Sequence, residues 1–297
     1  MMKKKIGFIG TGVMGTSIVK HLLKAGYEVQ IYNRTKSKAS ALIELGAKWQ
    51  NTPAEVTENA EVIFTIVGYP TDVEEVYYGE NGIFQTASKK HILIDMTTST
   101  PTLANKLYQT GKEKGSAVLD APVSGGDLGA KKGTLTVMVG GDQVVFDRVK
   151  PVFDRVKPVF EEFSSKINLQ GPAGSGQHTK MANQIMVAGT MTGMTELLVY
   201  AKAAGLDVEK VLDTVGGGSA QNWSLSNYGP RILKEDYSAG FFIKHFVKDL
   251  KIALDEAKRM NLSLPSTALA EKLYEELEGK GNGNDGTQAL IKLWWEN

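Results

Sequence analysis

Through the first half of the chain, short apolar and β-branched runs alternate with segments of helical period. Lys5 to Gly10, Glu28 to Tyr32, Val62 to Val67, His91 to Met96, Ala117 to Asp120 and Leu135 to Gly140 predict strands. Amphipathic segments such as Val13 to Ala25 and Thr102 to Lys114 lie between them. Alternation of this kind predicts an α/β fold with a doubly wound, mostly parallel sheet covered by helices on both faces. After about Gly171 the strand signal stops. Gly176 to Ala204, Val208 to Val215, Ile243 to Met260 and Ser266 to Leu277 have helical periodicity, several of them ended by Gly or a Gly-rich turn, so an all-α domain is predicted to follow. The boundary is placed at Gly171-Pro172-Ala173-Gly174, dividing the chain into residues 1–171 and 172–297.

Two local patterns interrupt this reading. Lys3-Lys4-Lys5 before Ile6-Gly7-Phe8-Ile9 has the outline of a signal peptide, but the apolar run is too short and is ended by Gly10 and Gly12. No later stretch approaches ~18 uninterrupted apolar residues. The segment reads as a first strand and the protein as cytoplasmic. Further on, Phe146-Asp-Arg-Val-Lys-Pro-Val152 is followed directly by an identical Phe153 to Val159. Such an insertion turns a helix's buried face by only ~20°. Pro151 and Pro158 predict a break or kink, and the unit reads as a surface duplication without functional meaning.

Composition narrows the chemistry. With 297 residues and 42% hydrophobic content the chain can bury a sizeable core in about two domains. The 34 basic and 33 acidic residues leave a net charge of +1, which supplies no global attraction to nucleic acid or membrane and leaves a small soluble ligand as the default partner. Zero cysteines exclude disulfides and thiolate chemistry, and His21, His91, His178 and His245 show no metal-ligand spacing. Catalysis therefore falls to Lys, Asp, Glu, Ser, Tyr or a cofactor, and no metal is expected.

The first predicted strand runs into Gly10-Thr11-Gly12-Val13-Met14-Gly15, and an amphipathic helix follows. Glycines there suit a tight turn, close approach of backbone to a pyrophosphate and close helix-on-strand packing, while the helix N-terminus offers amides to phosphate. Strand, glycine loop, helix and second strand together predict a Rossmann dinucleotide-binding domain over residues 1–171. The second strand ends in Asn33-Arg34-Thr35 without the acid that commonly bonds the ribose of NAD. Arg34 offers a planar donor for a 2′-phosphate, helped by Asn33 and Thr35, so NADP is favoured, with NAD possible. Alternatively Arg34 stacks on the adenine and selects little. Val67, where a later strand ends, is placed with the cofactor contacts.

Two more segments point to a substrate. Asp120-Ala121-Pro122-Val123-Ser124-Gly125-Gly126 supplies a hydroxyl and turn amides suited to a carboxylate. In Gly171-x-x-Gly174-x-Gly176-x-x-x-Lys180-x-x-Asn183 a glycine lead-in opens a helix whose Lys180, Asn183 and Gln184 share one face. Met181, Met186, Met191 and Met194 read as core or subunit packing. Trp294-Trp295 read as cover for a hydrophobic edge, and Asn222-Trp223-Ser224 either as a pocket closure or as a plain loop.

These motifs, in this order and spanning nearly the whole chain, resemble the β-hydroxyacid dehydrogenases, the family of 3-hydroxyisobutyrate dehydrogenase, tartronate semialdehyde reductase and the glyoxylate/succinic semialdehyde reductases, with 6-phosphogluconate dehydrogenase as a relative. A further match is Lys248-Asp249-Leu250. The resemblance implies that Lys180 is catalytic, that Ser124, Gly125 and Gly126 hold the substrate carboxylate and that Asn183 supports the site. It also implies that Lys248 lies by nicotinamide and substrate and that Thr98 contacts the cofactor. Homo-oligomers, dimers or tetramers formed through the helical domain of residues 172–297, are a further implication. Many members carry Asn where this chain has Gln184, and the Asn-Gln pair is similar to the tartronate semialdehyde reductases; the longer amide is expected to reshape the pocket.

Hydride transfer from a carbinol carbon leaves an alcohol proton to remove, and reduction needs a proton donor. Lys180 serves both directions if desolvation lowers its pKa, with Lys248 pushing the same way. The expectation is an NADP-preferring oxidoreductase interconverting a small β-hydroxyacid and its semialdehyde. The alternatives are an imine reductase on the same frame, disfavoured because Lys180 fits the hydroxyacid pattern, and a non-catalytic dinucleotide-binding scaffold.

Overall fold

A computed structural model describes residues 5–147 and 163–295. The chain divides into two compact units, Met1–Lys180 and Met181–Asn297.

The first unit is built on a sheet whose strands are β1 (Ile6–Ile9), β2 (Val29–Tyr32), β3 (Lys48–Trp49), β4 (Val62–Thr65), β5 (Ile92–Asp95), β6 (Ala117–Asp120), β7 (Val123–Ser124), β8 (Thr134–Gly140) and β9 (Phe163–Gly171). Six of them run parallel in the order β3-β2-β1-β4-β5-β6, the doubly wound arrangement expected from the sequence. β8 then runs antiparallel to β6 and β7, and β9 pairs parallel with β8 on its other side. Alternate side chains along each central strand enter opposite layers. Ile6, Phe8, Val62, Phe64, Ile92 and Ile94 pack in one core with Ile18, Val19 and Leu22. Ile9, Ile63 and Leu93 pack in the other with Tyr77, Phe84 and Leu107.

The helices of this unit start where the sequence carries start signals. α1 (Val13–Lys24) follows the glycine loop. After α2 (Ser40–Glu44) comes α3 (Pro53–Glu58), where Thr52 Oγ1 accepts the Glu55 N–H at 3.1 Å and proline occupies the first turn. α4 (Pro70–Tyr78) also opens on proline, and α5 (Pro101–Glu113) repeats the Thr-Pro device, with Thr100 Oγ1 accepting the Leu103 N–H at 3.1 Å. The short α6 (Gly126–Lys132) lies between β7 and β8.

α7 (Ser175–Ala203) carries the chain from the first unit into the second. The second unit is otherwise helical, as expected: α8 (Val208–Gly216), α9 (Trp223–Ile232), α10 (Ile243–Arg259), α11 (Pro265–Leu277) and a closing turn α12 (Lys292–Trp295). Its core joins Met191, Met194, Leu198, Phe246, Leu250, Tyr274 and Leu290, with Trp295 packed at the margin. Of the four methionines read as core or subunit packing, Met181, Met191 and Met194 are buried and Met186 is exposed.

Three strands escaped the sequence reading. β3 and β7 are two residues long, too short to show a period. β9 does alternate, with Ile167 and Leu169 half-buried between exposed Lys166, Asn168 and Gln170. Asn222-Trp223-Ser224 is not a plain loop: Asn222 caps α9, its side chain accepting the Leu225 N–H at 2.9 Å, and Trp223 opens the helix. Most of the doubled unit from Phe146 to Val159, both its prolines included, lies outside the described residues, so the expected kink does too.

Candidate active site

Sterics separate the glycines after β1. Gly10 has φ +98°, and a Cβ there would stand 2.0 Å from the Ile66 carbonyl oxygen. A Cβ at Gly15 would stand 2.0 Å from the Gly10 carbonyl oxygen. The fold itself requires these two. At Gly12 a Cβ would meet nothing within 4 Å, and Gly12 caps α1 without any side-chain bond. The chain thus leaves open ground in front of the first-turn amides of α1, between half-buried Met14 and exposed Val13, as a pyrophosphate requires. Thr11 is buried beside this loop.

The end of β2 is tied to the same loop. Asn33 Oδ1 accepts the Thr11 N–H at 3.1 Å, and Asn33 Nδ2 donates to the Thr35 carbonyl at 2.9 Å. Asn33 therefore fixes two turns, while Thr35 and Arg34 face solvent. The Arg34 side chain is 80% exposed, with Nη1 3.3 Å from Asp72 Oδ1. Asp72 also accepts the Tyr69 N–H at 3.1 Å ahead of α4. Val67, past the end of β4, donates its N–H to Thr97 Oγ1 at 3.0 Å, and half-buried Thr98 follows in the loop after β5.

The strand end at β6 serves two purposes. Forward of it, β7 delivers half-buried Ser124 opposite Thr136, and Gly125 and Gly126 turn the chain into α6 with φ of +130° and +63°. Backward across the unit, the Asp120 carboxylate meets the start of α7: Oδ1 accepts the Gly174 N–H at 2.8 Å and Oδ2 the Gln177 N–H at 2.9 Å. Burial pushes the Asp120 carboxyl above its ordinary range although these amides pull it down. A Cβ on Gly176 would stand 2.7 Å from Asp120 Oδ2 and 2.4 Å from the Met138 carbonyl, which explains that glycine. One turn beyond Gln177 stands Lys180, buried at 7% exposure.

Farther along, Asn183 and Gln184 lie on the same side of α7 as Lys180 by helical spacing. Asn183 Nδ2 donates to Gln184 Oε1 at 2.8 Å, and Gln184 Nε2 donates to Asp249 Oδ2 at 2.7 Å. Lys248 Nζ lies 3.0 Å from Asp249 Oδ1. Gln184 is 1% exposed, so its longer amide braces Asn183 against Asp249. A groove of about 630 Å³ in the second unit is apolar, lined by Ile185, Met186, Gly189, Met194 and Leu225, and includes none of these polar residues.

Sequence reading found the glycine loop, the Ser124 loop and Lys180, but missed the anchoring of α7 by Asp120 and Gln177. Their partners are backbone groups many residues away, and only the glycine lead-in hinted at a close approach. No group of His, Asp or Glu among the described residues is arranged to hold a metal. Among them, too, no helix is long and apolar enough to cross a membrane.

Comparison with known proteins shows the family. A family profile described as the NAD binding domain of 6-phosphogluconate dehydrogenase matches residues 5–168, and one described as the NAD-binding domain of NADP-dependent 3-hydroxyisobutyrate dehydrogenase matches 174–294. A probable 3-hydroxyisobutyrate dehydrogenase-like protein of Arabidopsis thaliana is 48% identical, over 97% of this chain and 84% of its own. The 2-hydroxy-3-oxopropionate reductase of Escherichia coli is 38% identical, over 97% and 96% respectively. Among solved structures, Mycobacterium tuberculosis 3-hydroxyisobutyrate dehydrogenase with L-serine superimposes with a TM-score of 0.87 at 26% identity, covering 99% of this chain and 100% of that one.

Proposed function

Because the chain belongs to the β-hydroxyacid dehydrogenase family, oxidoreductases that use a nicotinamide dinucleotide, we propose that it interconverts a small β-hydroxyacid and its semialdehyde, with Lys180 as general acid and base. The observation that carries this is the placement of Lys180: buried, and one turn past amides bonded to the end of β6, the strand that leads into Ser124.

In the oxidative direction the neutral Lys180 amine takes the hydroxyl proton of the substrate; in reduction its ammonium returns a proton to the forming alkoxide. Ser124 with the turn at Gly125 and Gly126 receives the substrate carboxylate, its hydroxyl and amides all being donors. Asn183, braced by Gln184, and Lys248 take supporting substrate roles. The dinucleotide, when bound, accepts or gives the hydride. The loop Gly10 to Gly15 holds its pyrophosphate, Val67 and Thr98 contact the cofactor, and Lys248 stands by the ring.

For the dinucleotide, NADP is the preferred form. Arg34 is exposed at the end of β2, the strand itself does not end in an acid, and Asn33 is engaged with Thr11 and Thr35, so Arg34, once released from its pair with Asp72, and Thr35 are the donors for a 2′-phosphate. A cytoplasmic homo-oligomer, dimer or tetramer, completes the proposal.

The test is NADPH consumption with succinic, tartronic and methylmalonic semialdehydes, run beside Lys180→Ala. At least one aldehyde acid is expected to be reduced, and the variant to lose about 10²–10⁴ in turnover with dinucleotide binding retained. Near-normal turnover by the variant would remove the role of Lys180. Inertness toward every aldehyde acid would leave a binding scaffold.

A further inference from the structure

The first turn of α7 carries a side chain that the proposed chemistry does not use. Gln177 is 0% exposed, and a carboxamide so placed needs a partner at each end. Its Oε1 accepts the Ser99 N–H at 3.0 Å, and its Nε2 donates to the Thr97 carbonyl at 2.7 Å. One partner is a backbone donor and the other a backbone acceptor, so the orientation of the amide is settled. Gln177 therefore grips the loop after β5 on both sides of Thr98. That loop is itself held: Thr97 donates its N–H to Asp95 Oδ1 at 3.0 Å, and Thr97 Oγ1 accepts the Val67 N–H at 3.0 Å. The backbone N–H of Gln177 is meanwhile bonded to Asp120. Bonds in two directions fix both the rotation of α7 about its axis and its position along it, and Lys180 follows one turn later.

We propose that Gln177 is a positioning residue, which holds Lys180 in register with the loop Thr97-Thr98-Ser99 so that the proton carrier and the cofactor contact at Thr98 keep a fixed separation. The proposal rests on the reading of Lys180 as general acid and base. Gln177 touches no reacting atom and acts through the helix. Glutamine is the residue type that the site requires: glutamate of equal length presents two acceptors, one of them facing the Thr97 carbonyl, and methionine fills the space while pairing neither backbone group.

Gln177→Glu, Gln177→Met and Lys180→Ala are compared with the parent for kcat, KM and dinucleotide Kd between about pH 6 and pH 9, and for amide hydrogen exchange over residues 97–99. Both Gln177 variants are expected to lose roughly 10–100-fold in kcat, the cost of misplacing a catalytic group by about 1 Å, while KM and Kd move by less than about threefold. Exchange at Ser99 rises in Gln177→Met. Gln177→Glu regains rate relative to the parent as pH falls, because its protonated carboxyl again donates to Thr97, and Gln177→Met does not. A kcat within about twofold of the parent in both variants, a loss confined to Kd, or a relative rate of Gln177→Glu that is flat with pH overturns the proposal. If Gln177→Met does not fold, the pH response of Gln177→Glu decides alone. Lys180→Ala separates the two failures: near-normal turnover there sinks the lysine assignment, whereas an inactive Lys180→Ala beside fully active Gln177 variants sinks the positioning role only.

Discussion

Asp120 is a carboxylate placed where burial works against its charge, yet it accepts amides at the start of α7 with both oxygens. Its pKa is raised in the folded state, so its contribution to stability is full below its ordinary value of 3.8 and is lost as pH rises through the raised one. Asp236, held low by Arg231 and Ser238, runs the other way: its contribution is present above 3.8 and fades on acidification. Asp120→Asn turns an NH2 toward backbone donors, so it is expected to destabilise the protein by about 1–3 kcal/mol at neutral pH and to flatten this part of the pH dependence. Urea unfolding at several pH values checks both; parental stability at neutral pH would show that the carboxylate is not an anchor. Residue type, motif context and the family resemblance singled out Lys180, Ser124 and Arg34 as candidates, because the chemistry proposed for them is written in the side chain. Asp120 and Gln177 were not legible, because what matters about them is a backbone group brought close by folding.

At the level of elements, the glycine loop divides into positions that the fold requires and one, Gly12, that the fold leaves open and the proposed function assigns to the dinucleotide. Gly10→Ala puts a methyl against a carbonyl oxygen at positive φ and is expected to destabilise by about 3 kcal/mol or more. Gly12→Ala enters open space and should stay within about 0.5 kcal/mol of the parent, yet weaken dinucleotide binding about tenfold or more. Chemical denaturation and a fluorescence titration separate the two, and undiminished binding by Gly12→Ala would place the pyrophosphate elsewhere. Long periodic segments were read with ends displaced by a residue or two in either direction, as fraying predicts. Failures had local causes. Two-residue strands such as Lys48–Trp49 have no period to read, Trp223 was judged without the capping power of Asn222, and α3 and α4 were passed over although Thr52-Pro53 and Tyr69-Pro70 announce them.

At the scale of the whole chain, a net charge of +1 leaves recognition to local groups, and the proposed function gives dinucleotide choice to the Arg34 corner. A ligand that binds only the folded state at about a hundredfold over its Kd stabilises by about 2.7 kcal/mol. Thermal unfolding with equal, subsaturating NADPH and NADH is therefore expected to show the larger upward shift with NADPH, and Arg34→Ala to erase the difference. Equal shifts in the parent would end the case for NADP.

The two margins of the sheet have a consequence of their own. One is a strand of only two residues bearing Lys48; the other, β9, sets Lys166, Asn168 and Gln170 outward in alternation. Among the described residues these margins are short or carry charged and polar side chains, a pattern that discourages pairing with a neighbouring molecule's strand.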